Sequence, residues 1–350
     1  MATPAINFSL ITRQKIWQDF VCSTEFYTFL QSWEWGNLQQ GLGEKIFRIG
    51  LFKDNELASI GLVIKITARR GVYLLCPHGP LFKRGIESQS LFNDWANYLK
   101  ELGKSEKADF IRLATVLPNT KESARLLKGL GFIFAPMHQH AETTWILNLD
   151  RPEEELFGQL RKTARYLIKR GEKEGVMIKR AATDQGIEEF CRLHLQHSQK
   201  TGYEPFSKKF IQLLFKSFPS EQISLKFAFY ENQIEAASVI IFYGQTAAYY
   251  LAAADTKHGK FSPAYLLQWQ SILEAKAKGC TSYNFWGVSP DDRRPHPLTG
   301  VSLFKKGFGG ELKDLLHAYD YPLTKKYYLN WLVETARRIS RGYYYIKPKN

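Results

Sequence analysis

The residues best suited to chemistry in this chain are cations rather than nucleophiles. The spacing predicts one helix opening at Pro152-Glu-Glu-Glu and running on through Leu160–Arg170, with a proline and an acidic first turn marking its start. Leu156, Leu160, Ala164, Leu167 and Ile168 share one face, and Arg161, Arg165, Lys169 and Lys173 share another at intervals of four. A solvated helix face ordinarily mixes charge signs, because like charges four apart repel. This stripe reads either as a seat for a polyanion or as plain exposed surface, and an arginine such as Arg165 suits bidentate contact with phosphate.

No Ser-His-Asp or Cys-His set stands out. His138, His140, His194, His197 and His296 have no convincing metal-ligand spacing, and no carboxylate accompanies His194 and His197, so no metal is expected. Cys22, Cys76, Cys191 and Cys280 are far apart and read as free thiols of a reducing cytoplasm.

The net charge of +14, from 48 basic and 34 acidic residues, favours a polyanionic partner such as nucleic acid, nucleotide phosphate or an anionic membrane surface. The N-terminal stretch has no signal-peptide pattern, and no apolar run is long enough to span a bilayer, so a cytoplasmic location is expected. A length of 350 residues suits two domains.

The elements that must position these side chains occur twice. Ile49–Ile66 reads as strand, Asp54-Asn55 turn, strand, and Phe227–Tyr243 reads the same way around Glu231-Asn232. A third apolar run follows each copy, Val72–Cys76 and Ala247–Ala254, and then a helix, a short strand (Phe110–Ala114, Ser282–Trp286) and a Gly-rich signature. The signatures are Leu126–Phe132 and Leu303-Phe-Lys-Lys-Gly-Phe-Gly-Gly310. A repeat of about 175 residues implies two similar domains flanking a cleft. The expected division is 1–150 and 151–322, with a basic, aromatic terminal helix within 323–345 packing on the first domain. A helix over 14–30, a strand over 143–149 closing the first unit, and a polar loop over 289–297 at the cleft mouth complete the expectation. The tryptophans of Gln31-Ser-Trp-Glu-Trp-Gly36 read as a packed corner or a ligand wall.

Four motifs stand in order: Gln31–Trp35, Pro77-His-Gly-Pro80, Leu160–Ile168 followed by Gly175-Val176, and Leu303–Gly310. In that order, from about residue 15 to 322, the chain resembles the FemABX family of non-ribosomal peptidyl aminoacyltransferases. The resemblance implies an α/β fold of two tandem N-acetyltransferase (GNAT)-like domains, mixed sheets flanked by helices, and the compact subtype without a coiled-coil arm. It implies transfer of an amino acid from aminoacyl-tRNA to the stem-peptide amine of a peptidoglycan precursor. The acceptor would be UDP-MurNAc-pentapeptide or lipid II, with peripheral contact to the inner membrane face and no cofactor. Lys305 matches the lysine of the family's Phe-Lys motif and would stabilise charge growing on the ester, with Phe304 as its aromatic neighbour. Arg165 and Lys169 would meet tRNA, Trp35, Gly79 and Pro80 would shape the acceptor groove, and Tyr203 and Tyr250 are candidate cleft aromatics. The chain departs from the family at His78, where an arginine is frequent, at Phe82-Lys83, where an acid follows the Gly-Pro, and at Gln39, where some members carry a lysine.

Such a transfer needs a neutral amine, although a free lysine amine has a pKa of about 10.4. It needs a donor for the developing oxyanion and alignment of the two reactants. It needs no covalent enzyme intermediate. The alternatives are an acyl-CoA-dependent N-acyltransferase acting on a sugar or peptide amine, and a non-catalytic RNA-binding protein. The first would want a two-glycine pyrophosphate loop where Thr256–Phe261 has one glycine.

Overall fold

The computed structural model describes residues 5–69, 71–85, 89–254, 262–346 and 348. The elements to Phe134 are β1 (Ile6–Leu10), α1 (Gln14–Ser23), α2 (Trp33–Leu42), β2 (Lys45–Lys53), β3 (Glu56–Ala68), β4 (Gly71–Pro77), β5 (Leu81–Phe82), α3 (Gln89–Ser105), β6 (Phe110–Ala114), α4 (Lys121–Gly129) and β7 (Ile133–Phe134). Then follow β8 (Thr143–Asn148), α5 (Glu153–Gln159), α6 (Lys162–Lys173), β9 (Met177–Arg180), α7 (Asp184–Thr201), α8 (Lys208–Ser217), β10 (Ile223–Tyr230), β11 (Gln233–Tyr243) and β12 (Thr246–Ala254). The chain closes with α9 (Pro263–Ala277), β13 (Ser282–Gly287), α10 (Thr299–Lys306), β14 (Glu311–Asp314), β15 (Tyr319–Pro322) and α11 (Lys326–Ser340).

Two compact units result, one of Met1–Thr143, Ser289–Thr299 and Asp314–Asn350, the other of Thr144–Val288 and Gly300–Lys313. The first holds a sheet ordered β1-β2-β3-β4-β6-β15-β7, with β5 on β3; the second holds β14-β8-β13-β12-β11-β10-β9. The duplicated pattern is visible in both. An antiparallel meander (β2-β3-β4; β10-β11-β12) is followed by a helix and a parallel strand (β6; β13). Both first hairpins turn through two left-handed residues, Asp54 (φ 51°) and Asn55 (66°), then Glu231 (47°) and Asn232 (60°), the backbone a two-residue hairpin of right-handed twist requires. Each unit has its own core: Val63, Leu74, Trp95 and Ile111 in the first, Ile240, Trp269, Tyr283 and Phe285 in the second.

Four expectations are corrected. The helix expected over 14–30 ends at Ser23, and α2 begins anew where the Ser32 hydroxyl accepts the Trp35 amide at 2.9 Å, a side-chain cap that fixes a helix start. The helix expected to run on from Pro152 to Arg170 breaks at Leu160 and Arg161, which are extended (ψ 141° and 143°). Tertiary bonds replace the lost helical ones: the Arg161 amide donates to Gly307 O at 2.9 Å, and Arg165 Nη1 donates to Gly158 O at 2.6 Å and Leu160 O at 2.8 Å. The strand over 143–149 does not close the first unit. As β8 it pairs with β13 in the second sheet, Tyr283 opposite Leu147, because Leu147 is buried in the second core. Residues 319–322, assigned with the second domain in the sequence, pair instead with β6 of the first sheet, Asp320 opposite Arg112. There Arg112 Nε and Nη2 donate to the two Asp320 carboxylate oxygens at 2.8 Å each, and Nη2 donates at 2.8 Å to Glu334 on α11. The terminal helix lies in the first unit.

Candidate active site

In the first unit the parallel pair β4–β6 runs in register from Tyr73 opposite Phe110 to Pro77 opposite Ala114. In the second, β12 and β13 pair only from Thr246 opposite Ser282 to Ala248 opposite Asn284. Beyond Asn284 the β13 register also shifts against β8. Asn284 makes this departure: its Oδ1 accepts the Trp286 amide at 2.8 Å, and Trp286 takes φ 65°, a left-handed value uncommon for a bulky residue. The turn aims the Gly287 carbonyl at Lys305, whose Nζ donates to it at 2.6 Å.

Lys305 stands in the last turn of α10, not in a glycine turn, and is only 7% exposed. Burial without an acidic partner disfavours the ammonium and brings its pKa down from 10.5 to about 7. The Tyr249 ring centroid lies 5.8 Å from its Nζ. Phe304, the preceding residue, packs edge-on to Tyr265 at 4.8 Å and Phe308 at 5.2 Å, which anchors α10 in the second core. The glycines after Lys306 let the chain turn close to β8. Gly310 has φ 95°, and a Cβ there would stand 2.5 Å from Ile146 O. Trp145 Nε1 donates to Gly309 O at 2.6 Å.

An aromatic row leads to the same turn. Tyr203 Oη lies 2.8 Å from His194 Nδ1, the Phe206 ring is 6.2 Å from His194 and 6.0 Å from Tyr250, and Tyr250 is 5.9 Å from Trp286. The structure therefore brings Tyr203, Tyr250 and Lys305 toward one end of β12 and β13. Arg165 and Lys169 sit on α6. Arg165 is half-buried and partly committed to the carbonyls at the end of α5, while Lys169 is exposed with its Nζ 5.6 Å from the Phe157 ring.

In the first unit, Trp35, Gly79 and Pro80 are all buried. Gln31 joins their two motifs: its Nε2 donates to Pro77 O at 2.6 Å, its Oε1 accepts the Leu62 amide at 2.8 Å, and its carbonyl accepts Trp17 Nε1 at 2.6 Å. The Gly79–Pro80 bond is cis, and a Cβ on Gly79 would stand 2.6 Å from Gln31 Nε2. Trp35 packs edge-on to His140 at 5.8 Å, and His140 to His78 at 6.2 Å. Burial holds both histidines neutral, His78 down to about 4 and His140 to about 3.

Asn284, Trp286, Gly287 and Tyr249 are the residues of this site that the sequence reading does not single out. The available signal was Asn284-Phe-Trp-Gly287 at the end of a strand, an asparagine two residues before the amide it accepts. Among the described residues no group of three or more His, Cys, Asp and Glu is placed to hold a metal ion. Thr256–Phe261, on which the acyl-CoA alternative turned, lies outside the described residues.

The fold defines the class first: two GNAT-like α/β units in tandem. A tandem GNAT protein from the clavulanic acid biosynthesis pathway matches with a TM-score of 0.58 and 9% identity, covering 91% of this chain and 98% of that one. A crystal structure of FemX matches more closely, with a TM-score of 0.77 and 18% identity over 94% of this chain and 100% of that one. The chain belongs to the FemAB family, whose profile matches residues 12–233 and 229–335. A lipid II:glycine glycyltransferase of Staphylococcus aureus (strain MRSA252) is 19% identical over 385 aligned positions, covering 88% of this chain and 91% of that protein. The aminoacyltransferase FemA of Staphylococcus epidermidis is 30% identical over 80 residues, 23% of this chain.

Proposed function

We propose that this chain is an aminoacyltransferase. It moves an amino acid from aminoacyl-tRNA to the stem-peptide amine of a peptidoglycan precursor, UDP-MurNAc-pentapeptide or lipid II, in the cytoplasm where charged tRNA is found. Family membership and the names of the curated relatives support the reaction class. The observation that carries the site is the buried Lys305 held at 2.6 Å by Gly287 O where β12 and β13 diverge.

The acceptor amine, once neutral, attacks the ester carbonyl of the aminoacyl group. A C–N bond forms, the ester C–O bond breaks, and the amine proton leaves with the ribose oxygen. A protonated lysine has three N–H donors. Gly287 O takes one, which fixes the head group and leaves two to meet the oxyanion of the tetrahedral intermediate. Phe304 holds α10 in place. Tyr203 and Tyr250 offer aromatic faces on which the terminal base of the donor stacks, and Arg165 and Lys169 meet its phosphates. Trp35, Gly79 and Pro80, buried in the first unit, would act on the acceptor by supporting the walls around it rather than by facing it.

The test is to incubate charged tRNAs with UDP-MurNAc-pentapeptide or with lipid II and weigh the products. One added aminoacyl mass on the precursor is the expected result. Acetylation of the precursor from acetyl-CoA, with no tRNA-dependent product, would overturn the reading.

A further inference from the structure

Helix α11 is amphipathic in the wrong sense for a helix packed on its own protein. An ordinary surface helix turns its apolar stripe inward. Here the inward side is held largely by polar contacts, with the Tyr327 ring packed edge-on to Phe110 at 5.2 Å. Tyr327 and Asn330 are buried, the Tyr327 hydroxyl donates to Asp320 Oδ2 at 3.2 Å, Asn330 Nδ2 donates to Glu334 Oε1 at 3.2 Å, and Glu334 pairs with Arg112. The opposite side carries Tyr328, Leu329, Leu332, Ala336 and Ile339, which fall within about a third of a turn of one line at 100° per residue. Leu329 is 63% exposed, Leu332 60% and Ile339 67%, so the stripe covers nothing among the described residues.

Charge says what covers it. Lys325, Lys326 and Arg337 are exposed beside the stripe, and the helix has one acidic residue, Glu334, which is turned inward onto Arg112. An exposed apolar line whose exposed charged neighbours on the helix, Lys325, Lys326 and Arg337, are all cations fits an anionic lipid surface. Leucine and isoleucine enter the headgroup–acyl boundary, tyrosine sits at headgroup depth, and lysine and arginine meet the phosphates. A helix of 15 residues is too short to span a bilayer, and no described helix is long and apolar enough to do so. We propose that α11 lies in the plane of an anionic membrane and docks the first unit on it through Leu329, Leu332 and Ile339. The Glu334–Arg112 ion pair and the Tyr327–Asp320 hydrogen bond hold the helix to the sheet, so the stripe is presented ready-made rather than folded on contact.

The test is co-sedimentation of the full chain with vesicles of phosphatidylglycerol and phosphatidylcholine, against vesicles of phosphatidylcholine alone. Binding to the anionic vesicles, weakened by salt, is expected. A variant carrying Leu332→Gln and Ile339→Gln should lose about tenfold or more in affinity, and Lys325→Gln with Lys326→Gln should lose the salt dependence in part. All four positions are exposed, and circular dichroism checks that the variants stay folded. Absence of binding, or binding that the Leu332/Ile339 variant retains, overturns the proposal. So does a dimer in sedimentation velocity that those substitutions dissolve, since a second copy would then be the occupant. Vesicle binding is read without turnover, so its failure leaves the aminoacyl-transfer reading standing.

Discussion

Lys305 Nζ donates to the carbonyl oxygen of Gly287 at 2.6 Å, and no carboxylate shares the contact among the interactions of the described residues. A lysine held by a single carbonyl in a buried place is poised between its charged and neutral forms near neutrality. Two physical consequences follow from that state.

The first is thermodynamic. The folded-state pKa of Lys305 is depressed to about 7 from 10.5, so between those values the unfolded chain binds more protons than the folded one. Stability therefore rises with pH across that window, by up to about 1.4 kcal/mol per pH unit for this one group. Below about pH 7 both states are protonated and the folded protein bears the full cost of a buried ammonium. Lys305→Met should be more stable than wild type at pH 6.5, with the difference closing toward pH 10. Urea unfolding of the two proteins at several pH values checks it; equal stability at pH 6.5 would place the ammonium in a solvated site.

The second concerns Asn284. Its side chain holds the Trp286 amide and so sets the direction of the Gly287 carbonyl. Asn284→Ala should move the pKa of Lys305 and lower turnover by about one order of magnitude without weakening donor binding. Asn284→Asp, which retains the accepting oxygen, should recover most of the loss. Competitive labelling of Lys305 with an amine reagent as a function of pH reads the pKa directly; an unmoved titration in Asn284→Ala would remove the positioning role.

The first unit has its own buried charge set. Arg112 lies between Asp320 and Glu334 and ties β6, β15 and α11 together. Removing Asp320 leaves the buried Arg112 with Glu334 alone, and losing one partner of a buried ion pair costs up to about 3–5 kcal/mol. Asp320→Ala should lower the urea midpoint accordingly, whereas cutting a surface pair such as Lys15–Asp19 should shift it by under about 1 kcal/mol.

Acid sensitivity should come from the same unit. Burial holds His78, His140 and His296 neutral, at about 4, 3 and 4. Their folded pKa values lie below the ordinary 6.5, so the folded state binds fewer protons as pH falls through 6.5 toward 4, and stability drops over that interval. Denaturant titrations at pH 7 and pH 5 should show the loss, and replacing His78 and His140 by glutamine should flatten it.

Much of the fold was legible in the sequence because its signals were local. Asp54-Asn55 and Glu231-Asn232 mark their hairpins by turn chemistry, and Phe110–Ala114 is a strand to the residue. The failures lie where a distant group decides. Nothing near Thr143 says that Leu147 will pack under Tyr283, and nothing near Tyr319 says that Asp320 will face Arg112 across 208 residues of chain. The helix break at Leu160 depends on Gly307 O, which no periodicity within α5 and α6 reports. At the site, the lysine could be singled out by its motif, but its burial could not: a lysine among glycines reads as exposed, and only the turn at Trp286 brings a carbonyl to it. Trp35 shows the converse, since its motif marks a position in the interior rather than an open wall.

The most direct test is single-turnover transfer from charged tRNA to the muropeptide precursor by wild type, Lys305→Ala and Lys305→Arg, followed from pH 5.5 to 9. Wild type should show a falling limb with a midpoint near the Lys305 pKa of about 7, set against the rise as the acceptor amine loses its proton. Lys305→Ala should lose about two orders of magnitude or more with its fold intact, and Lys305→Arg, if it retains measurable transfer, should lose the falling limb. Wild-type rates in Lys305→Ala, across the same pH range, would contradict the account.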